Sequence, residues 1–434
     1  MSKTPKYTKE FTAKVLEATD IVKVIGAHTP LQERNGLYYG PSLFAKSGPG
    51  LMVVYPDKQF FKDYSCNQSG NVFLYLAHKE HLTFDQVVEK LAKEAHIPIT
   101  EADLYKDPQA TTKKNLYAIM DAAATFYHNQ MKAAGGEVAR DYVTERGLED
   151  ATTKQFKLGF SPGTGQALYN YLQHQGFSHE TMIQSGLIKV ADGKPYDYFR
   201  NRLMFPIWDR EGRVVAFTGR RLGADDAKSG PKYVNSSASL IFNKSEVLYG
   251  MNFAKNTQTP YYILVEGQMD VIKLHQAGFT NVVAISGTAF TEKHCQQLLT
   301  RLSKGREVPQ QGLMIATDGD SAGRDAKLKI IRKGSEFLPF GMRIVQWPEG
   351  CKDPDELIEK YGKQFFMDCL KGSTPADNYL ICALMDKEQG DMKKVSAEFV
   401  KIFVFKEQRG MGAKELEERM SSVVNSIPEY QREL

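Results

Sequence analysis

The chain has 434 residues, 42% of them hydrophobic and 25% charged, so it can bury several cores and should divide into two or three domains. Lys and Arg number 56 against 52 Asp and Glu, and the resulting +4 is too small to mark a nucleic-acid binder unless the basic residues cluster. The five cysteines are scattered with no two-residue spacing. No apolar run approaches the ~20 residues of a membrane-spanning helix, and the expectation is a reduced, cytoplasmic protein.

In chain order, residues 1–100 read as a first domain. The polar, Pro-containing stretch 101–115 (Glu101-Ala-Asp-Leu-Tyr-Lys-Asp-Pro108 onward) reads as a linker. Residues 116–255 mix short helices with an antiparallel segment, Arg202-Leu-Met-Phe-Pro-Ile-Trp208 and Arg213-Val-Val-Ala-Phe217 around the turn Asp209-Arg-Glu-Gly212. An acidic turn ending in Gly between apolar runs is a hairpin signal.

Residues 256–373 carry four apolar runs of buried-strand length: Tyr261–Glu266, Asn281–Ser286, Gly312–Thr317 and Met342–Trp347. Stretches of helical composition, 270–276, 291–302 and 322–337, lie between them, and that alternation predicts an α/β domain with a parallel sheet. Residues 374–434 read as a helical subdomain.

Ligands of such sheets collect at the carboxyl ends of the strands. Glu266, Asp318 and Asp320 stand directly after strands, Asp270 lies one helical turn past Glu266, and Asp353 and Asp355 follow the fourth strand. Six carboxylates at one sheet edge repel one another unless a cation intervenes, and hard oxygen ligands suit Mg²⁺ or Mn²⁺. The chemistry expected is metal-assisted phosphoryl transfer.

Upstream, Arg200, Arg202, Arg220, Arg221, Lys232 and Lys244 are interleaved with Phe217, Tyr233 and Phe242, a composition suited to gripping phosphates and stacking on bases.

Val265-Glu-Gly-Gln-Met-Asp270, Thr317-Asp-Gly-Asp-Ser-Ala-Gly323 and Lys352-Asp-Pro-Asp-Glu-Leu357 resemble the Toprim motifs of bacterial DnaG-type primases, and Asp270 to Val283 is similar to that family in particular. Tyr198 to Ile207, Thr218-Gly-Arg220, Pro231-Lys-Tyr-Val-Asn-Ser236, Phe242-Asn-Lys244 and Leu248-Tyr-Gly250 resemble the primase catalytic core, whose beginning is matched by Glu145-Arg-Gly147 and Phe156-Lys-Leu-Gly-Phe160. The resemblance implies a DNA-directed RNA polymerase that makes short RNA primers on single-stranded DNA at the replication fork. In this reading Glu266, Asp318 and Asp320 are catalytic and hold Mg²⁺ with support from Asp270, Asp353 and Asp355. Arg146, Arg200, Arg202, Arg220, Lys232, Tyr233, Asn235 and Lys244 hold template or ribonucleoside triphosphate. Residues 116–255 then form the basic subdomain of the core, 256–373 the Toprim subdomain and 374–434 its helical end. A replicative helicase is a further implied partner, though the docking domain it uses would follow Tyr430, after which four residues remain.

Residues 20–100 resemble the zinc-ribbon domain of the same primases through Ile21-Val-Lys-Val-Ile25, Gln59-Phe-Phe-Lys62, Gly70-Asn-Val-Phe-Leu74 and Phe84 to Ala92. Where that family has a Cys and a His, this chain reads Tyr39-Gly-Pro-Ser-Leu-Phe-Ala45, and where it has Cys-x-x-Cys, Asp63-Tyr-Ser-Cys66. One thiolate cannot make a tetrahedral zinc site, and His28, His78, His81 and His96 form no close pair with Cys66. The expectation is no zinc, with Leu43, Phe44, Val53, Val54, Phe60, Phe61, Phe73 and Leu74 building a metal-free core. Two other functional readings stay open: a Toprim nuclease or topoisomerase-like strand cleaver, and a catalytically inactive, primase-derived single-strand-binding protein.

Overall fold

The computed structural model describes residues 6–43, 50–65, 68–105, 107–223, 230–287, 289–302, 311–389, 391, 394–395 and 398–399. The chain separates into two compact units, Met1–Ala110 and Thr111–Leu434.

In the first unit an antiparallel sheet runs in sequence order through Gln32–Arg34, Leu37–Pro41, Leu51–Tyr55, Phe60–Asp63 and Gln68–Gly70. Arg34 pairs with Leu37 across the two-residue turn Asn35-Gly36, where φ is 52° and 78°. Positive φ at both central positions is what a tight hairpin matching the strand twist requires. Helices Lys9–Glu17, Ile21–His28, Val72–Lys79 and Phe84–Glu94 supply the rest of the core. Their starts are legible in the chain: Asn71 caps through Phe73 N and Leu74 N, and Thr83 with Gln86 forms a capping box.

Of the core expected here, Val53, Val54, Phe61 and Phe73 are buried. Leu43 and Leu74 pack partly buried against the core, and Phe60 is half-buried. Phe44 and Cys66 lie outside the described residues. The stretch 101–115 is more ordered than its composition suggests: Tyr7 bridges to Leu104, and a 23-residue helix, Ala110–Lys132, already begins within it.

That helix opens the core of the second unit. Behind it stands an antiparallel sheet in the order Tyr233–Asn235, Val214–Arg221, Arg202–Trp208, Gly159–Ser161. The hairpin turn at Asp209–Gly212 closes as the sequence predicts, Asp209 Oδ1 accepting Arg213 N at 2.9 Å. Gly159 is where strand meets helix: a Cβ there would lie 2.5 Å from the backbone of Tyr127.

A second sheet follows in the order Val282–Ala284, Tyr262–Val265, Gln311–Ile315, Gly341–Ile344, all parallel, with Thr374–Pro375 antiparallel at its edge. All four predicted strands are therefore present. The alternation of side chains sorts the two faces. Ile263, Val265, Val282 and Met314 join one core with the helices Gln268–Gln276 and Pro354–Lys371. Tyr262, Leu264, Leu313 and Ile315 join another with Glu292–Leu302, Ser321–Phe337 and Ala376–Lys387. Residues 374 and 375, expected to be helical, are the edge strand, and the helix starts at Ala376. The expected helical end beyond residue 399 lies outside the described residues.

Candidate active site

Five of the six predicted carboxylates, Glu266, Asp270, Asp318, Asp320 and Asp353, form one interacting set at the carboxyl ends of the parallel strands. Glu266 leaves the strand Tyr262–Val265 and its Oε1 accepts the Asp318 N–H at 3.2 Å, which ties two strand ends together. Burial raises the Glu266 pKa, Asp318 N lowers it, and Asp320 raises it. Asp318 is pushed up to about 7 by burial and then by Glu266, Asp353 and Asp320. Asp270 is raised well above the ordinary carboxylate range by burial and by Asp318, against the hydrogen bond from Gly267. Burial is the first cause in all three, and the neighbouring carboxylates push in the same direction.

Three of these acids also start helices. Asp270 Oδ2 accepts Gly267 N at 3.0 Å, Asp320 Oδ1 accepts Gly323 N at 2.7 Å, and Asp353 Oδ1 accepts Glu356 N at 2.8 Å. The helices Gln268–Gln276, Ser321–Phe337 and Pro354–Lys371 therefore begin at the site, with the positive ends of their dipoles there. Gly323 is required for this turn, since a Cβ would stand 2.1 Å from the Asp318 carbonyl oxygen. Gly319 N donates to Lys352 O at 2.7 Å and Trp347 Nε1 to Thr317 O at 2.8 Å, which docks the Asp353 loop against the Asp318 turn.

Asp355 also lies in the field of Asp270, and it meets two cations besides. Its side chain is 4% exposed and paired with Arg146, and Lys273 Nζ lies 3.5 Å from its other oxygen. Its charge is committed to two cations, and Arg146, expected to hold nucleic acid, is one of them.

The basic residues divide likewise. Arg202 is buried, and it donates to Gly219 O at 3.0 Å, Pro231 O at 3.1 Å and Lys232 O at 3.4 Å, stitching the sheet to the segment after it. Arg220 lies over the Tyr142 ring at 4.1 Å and the Tyr233 ring at 5.9 Å, with its Nε and Nη1 buried and without a hydrogen-bond partner. Tyr233 is held in the field of Arg220, Asp270, Arg146 and Asp355, at the junction of the two sheets. Asn235 Oδ1 accepts from Thr218 Oγ1 at 2.6 Å, and Thr218 in turn accepts from Gln268 Nε2 at 3.0 Å. Lys232 and Arg200 are exposed, Arg200 over the Tyr196 ring at 5.2 Å. Lys244 Nζ donates to Gly287 O at 3.4 Å beyond the strand Val282–Ala284, and burial lowers its pKa.

Sequence reasoning missed Gln268, Lys273, Tyr142 and Lys327. Lys327 left a signal, a charged residue in the buried row that also holds Gly323, Ile330, Ile331 and Gly334. Tyr142 left none, because its partner Arg220 is distant in the chain.

Among the described residues no three His, Cys, Asp or Glu side chains form a ready-made metal cage. The donor set nonetheless fits a hard cation such as Mg²⁺, which takes one or two carboxylates and fills its octahedron with water and phosphate.

A parallel sheet with acids at its strand ends, preceded by an antiparallel basic subdomain, is a Toprim-type arrangement. The Toprim-like family matches residues 263–358, "DNA primase catalytic core, N-terminal domain" residues 126–255, and "CHC2 zinc finger" residues 7–106. The chain is 33% identical over 378 residues to a DNA primase of Clostridium acetobutylicum, covering 86% of this chain and 60% of that one. It is 32% identical over 382 residues to the DNA primase of Escherichia coli K12, covering 86% and 64%. Among solved structures it resembles the zinc-binding and RNA polymerase domains of Aquifex aeolicus primase, with TM-score 0.60, 26% identity, and 96% and 99% of the two chains covered. A DnaG primase catalytic domain bound to ssDNA matches with TM-score 0.62 at 31% identity, covering 72% of this chain and 99% of that one. This chain belongs to the DnaG-type DNA primases. It spans roughly 60% of the length of those two curated relatives.

Proposed function

We propose that the chain synthesises short RNA primers on single-stranded DNA by divalent-metal-dependent nucleotidyl transfer. The observation that carries this reading is the gathering of Glu266, Asp270, Asp318, Asp320 and Asp353 at the strand ends and helix starts, in a chain of this family. Mg²⁺ or Mn²⁺, held by Glu266, Asp318 and Asp320, would neutralise the triphosphate and activate the primer 3′-hydroxyl. Asp270 and Asp353 back that set, and Asp355 holds Arg146 and Lys273 beside it. Arg220 brings a half-buried guanidinium, stacked on Tyr142 and near Tyr233, to the edge of the basic surface. Lys232, Arg200 and Lys244 extend the basic surface for template and ribonucleoside triphosphate, while Tyr233 and Asn235 shape its junction with the acidic end.

The test is primer synthesis on a single-stranded template. Glu266→Gln and Asp318→Asn should each lower the rate by about 100-fold or more, the scale of removing one transition-state electrostatic group. Equal activity in all three proteins would overturn the assignment, and strand cleavage without nucleotide incorporation would point to the nuclease reading instead.

We also propose that the first unit holds its ribbon without zinc. Where metal ligands are expected, Ser42 Oγ hydrogen-bonds to Asp63 Oδ2, Ser65 N donates to Asp63 Oδ1 at 3.0 Å, and Leu51 N donates to Ser65 Oγ at 2.7 Å. Asp63 is fully buried, so this cluster ties the strand ends together as a metal would.

A further inference from the structure

Lys327 stands out in the acidic centre because nothing in its own helix calls for it. It lies on the buried face of Ser321–Phe337, 5% exposed, and is the one charged residue among Gly323, Ile330, Ile331, Gly334 and Ser335 there. An ammonium on such a face is costly unless opposite charge compensates it. Its Nζ donates to the backbone carbonyl of Asp318 at 2.9 Å. Burial lowers its pKa, while Glu266, Asp318 and Asp320 act in the opposite sense. The lysine thus sits under the three acids assigned to the metal, bonded to the backbone of one of them.

We propose that Lys327 is a positioning residue and internal counter-charge of the acidic centre: it holds the Asp318 turn in place and offsets part of its negative charge, so it weakens divalent-cation binding. This rests on the reading of Glu266, Asp318 and Asp320 as the cation-binding set. A lysine there keeps the metal-free centre from flying apart by self-repulsion, and it sets the cation affinity lower than three carboxylates alone would. Its hydrogen bond and its charge are separable, because glutamine keeps a donor near the Asp318 carbonyl without the charge, methionine keeps only the shape, and arginine keeps the charge.

The experiment is Mn²⁺ binding to the full chain at pH 8.5, followed by the electron paramagnetic resonance of free Mn²⁺, for wild type and for Lys327→Met, Lys327→Gln and Lys327→Arg. Lys327→Met and Lys327→Gln should bind Mn²⁺ about 3- to 10-fold more tightly, the direction a removed like charge demands, and Lys327→Arg should stay within about twofold of wild type. Primer synthesis at saturating Mn²⁺ should fall most in Lys327→Met, which lacks both charge and donor, while the half-saturating Mn²⁺ falls with it. A merely structural lysine would alter unfolding and leave Mn²⁺ affinity unchanged, and that result overturns the proposal, as does unfolding of both neutral variants. Wild-type protein that binds no Mn²⁺ and makes no primer overturns the polymerase reading along with this one, whereas tight wild-type binding with unchanged variants overturns only the role of the lysine.

Discussion

Replacing Asp355 with Asn decides whether that carboxylate is a metal ligand or an internal counter-ion. Its side chain is 4% exposed, Lys273 is 8% exposed, and Arg146 is 39% exposed. Removing one member of a buried pair leaves its partner uncompensated, at a cost of about 3–5 kcal/mol. Arg146 can rehydrate, and Lys273 stands at a loose 3.5 Å, so the lower end, about 3 kcal/mol, is expected. The two tryptophans of the chain, Trp208 and Trp347, both belong to the second unit, so their fluorescence follows that unit alone. In urea with EDTA, Asp355→Asn should shift its midpoint down by about 1 M or more, given slopes of about 1–3 kcal/mol/M. Adding Lys273→Met should recover much of the loss, because the uncompensated ammonium is then gone. An unchanged midpoint together with a tenfold or greater loss of Mn²⁺ affinity would refute this reasoning and return Asp355 to the ligand set.

Other expectations follow from the same geometry. Asp318 carries a carboxyl pushed up to about 7, so the folded state holds its proton more tightly than the unfolded chain does. The stability this lends is present at acid pH and lost as pH rises through about 7. Metal-free protein should therefore weaken from pH 5 to 8, Mg²⁺ should restore it most at the alkaline end, and Asp318→Asn should flatten the slope in thermal melts; a slope unchanged in that variant counts against the account. Arg202→Met should destabilise the second unit by about 3 kcal/mol by stranding backbone carbonyls, whereas Lys232→Ala should leave the melt unchanged and lower the salt dependence of single-strand binding by about 0.7 in slope. Purified protein should carry no stoichiometric zinc, and a chelator should leave the far-ultraviolet signal of the first unit intact. One zinc per chain, lost in Cys66→Ser, would show the opposite.

Local rules carried the sequence reading a long way. Runs such as Tyr261–Glu266 and Gly312–Thr317 are β-branched, apolar and of strand length, and the helical stretches between them leave a parallel sheet as the natural arrangement. An acid directly after such a strand arrives at the sheet's carboxyl edge whatever surrounds it, which is why Glu266, Asp318 and Asp320 were identifiable as a group. The helix at Ala110 was hidden because the polar stretch 101–115 resembles a linker until the apolar face of Leu116, Ile119, Met120 and Ala123 begins.

What only the tertiary structure decided is the fate of each charge. Arg202 and Lys232 look alike in the sequence, yet the first is buried on carbonyls 17 to 30 residues away and the second is exposed. Asp355 and Asp353 are two residues apart, yet one pairs with Arg146 and Lys273 and the other caps a helix at the acidic centre. Periodicity encodes which face of a strand or helix is buried, because that is a property of neighbours in the chain. Whether a buried charge meets a carbonyl, an opposite charge or another of its own sign depends on groups brought together only by packing, and the electrostatics of this site are set there.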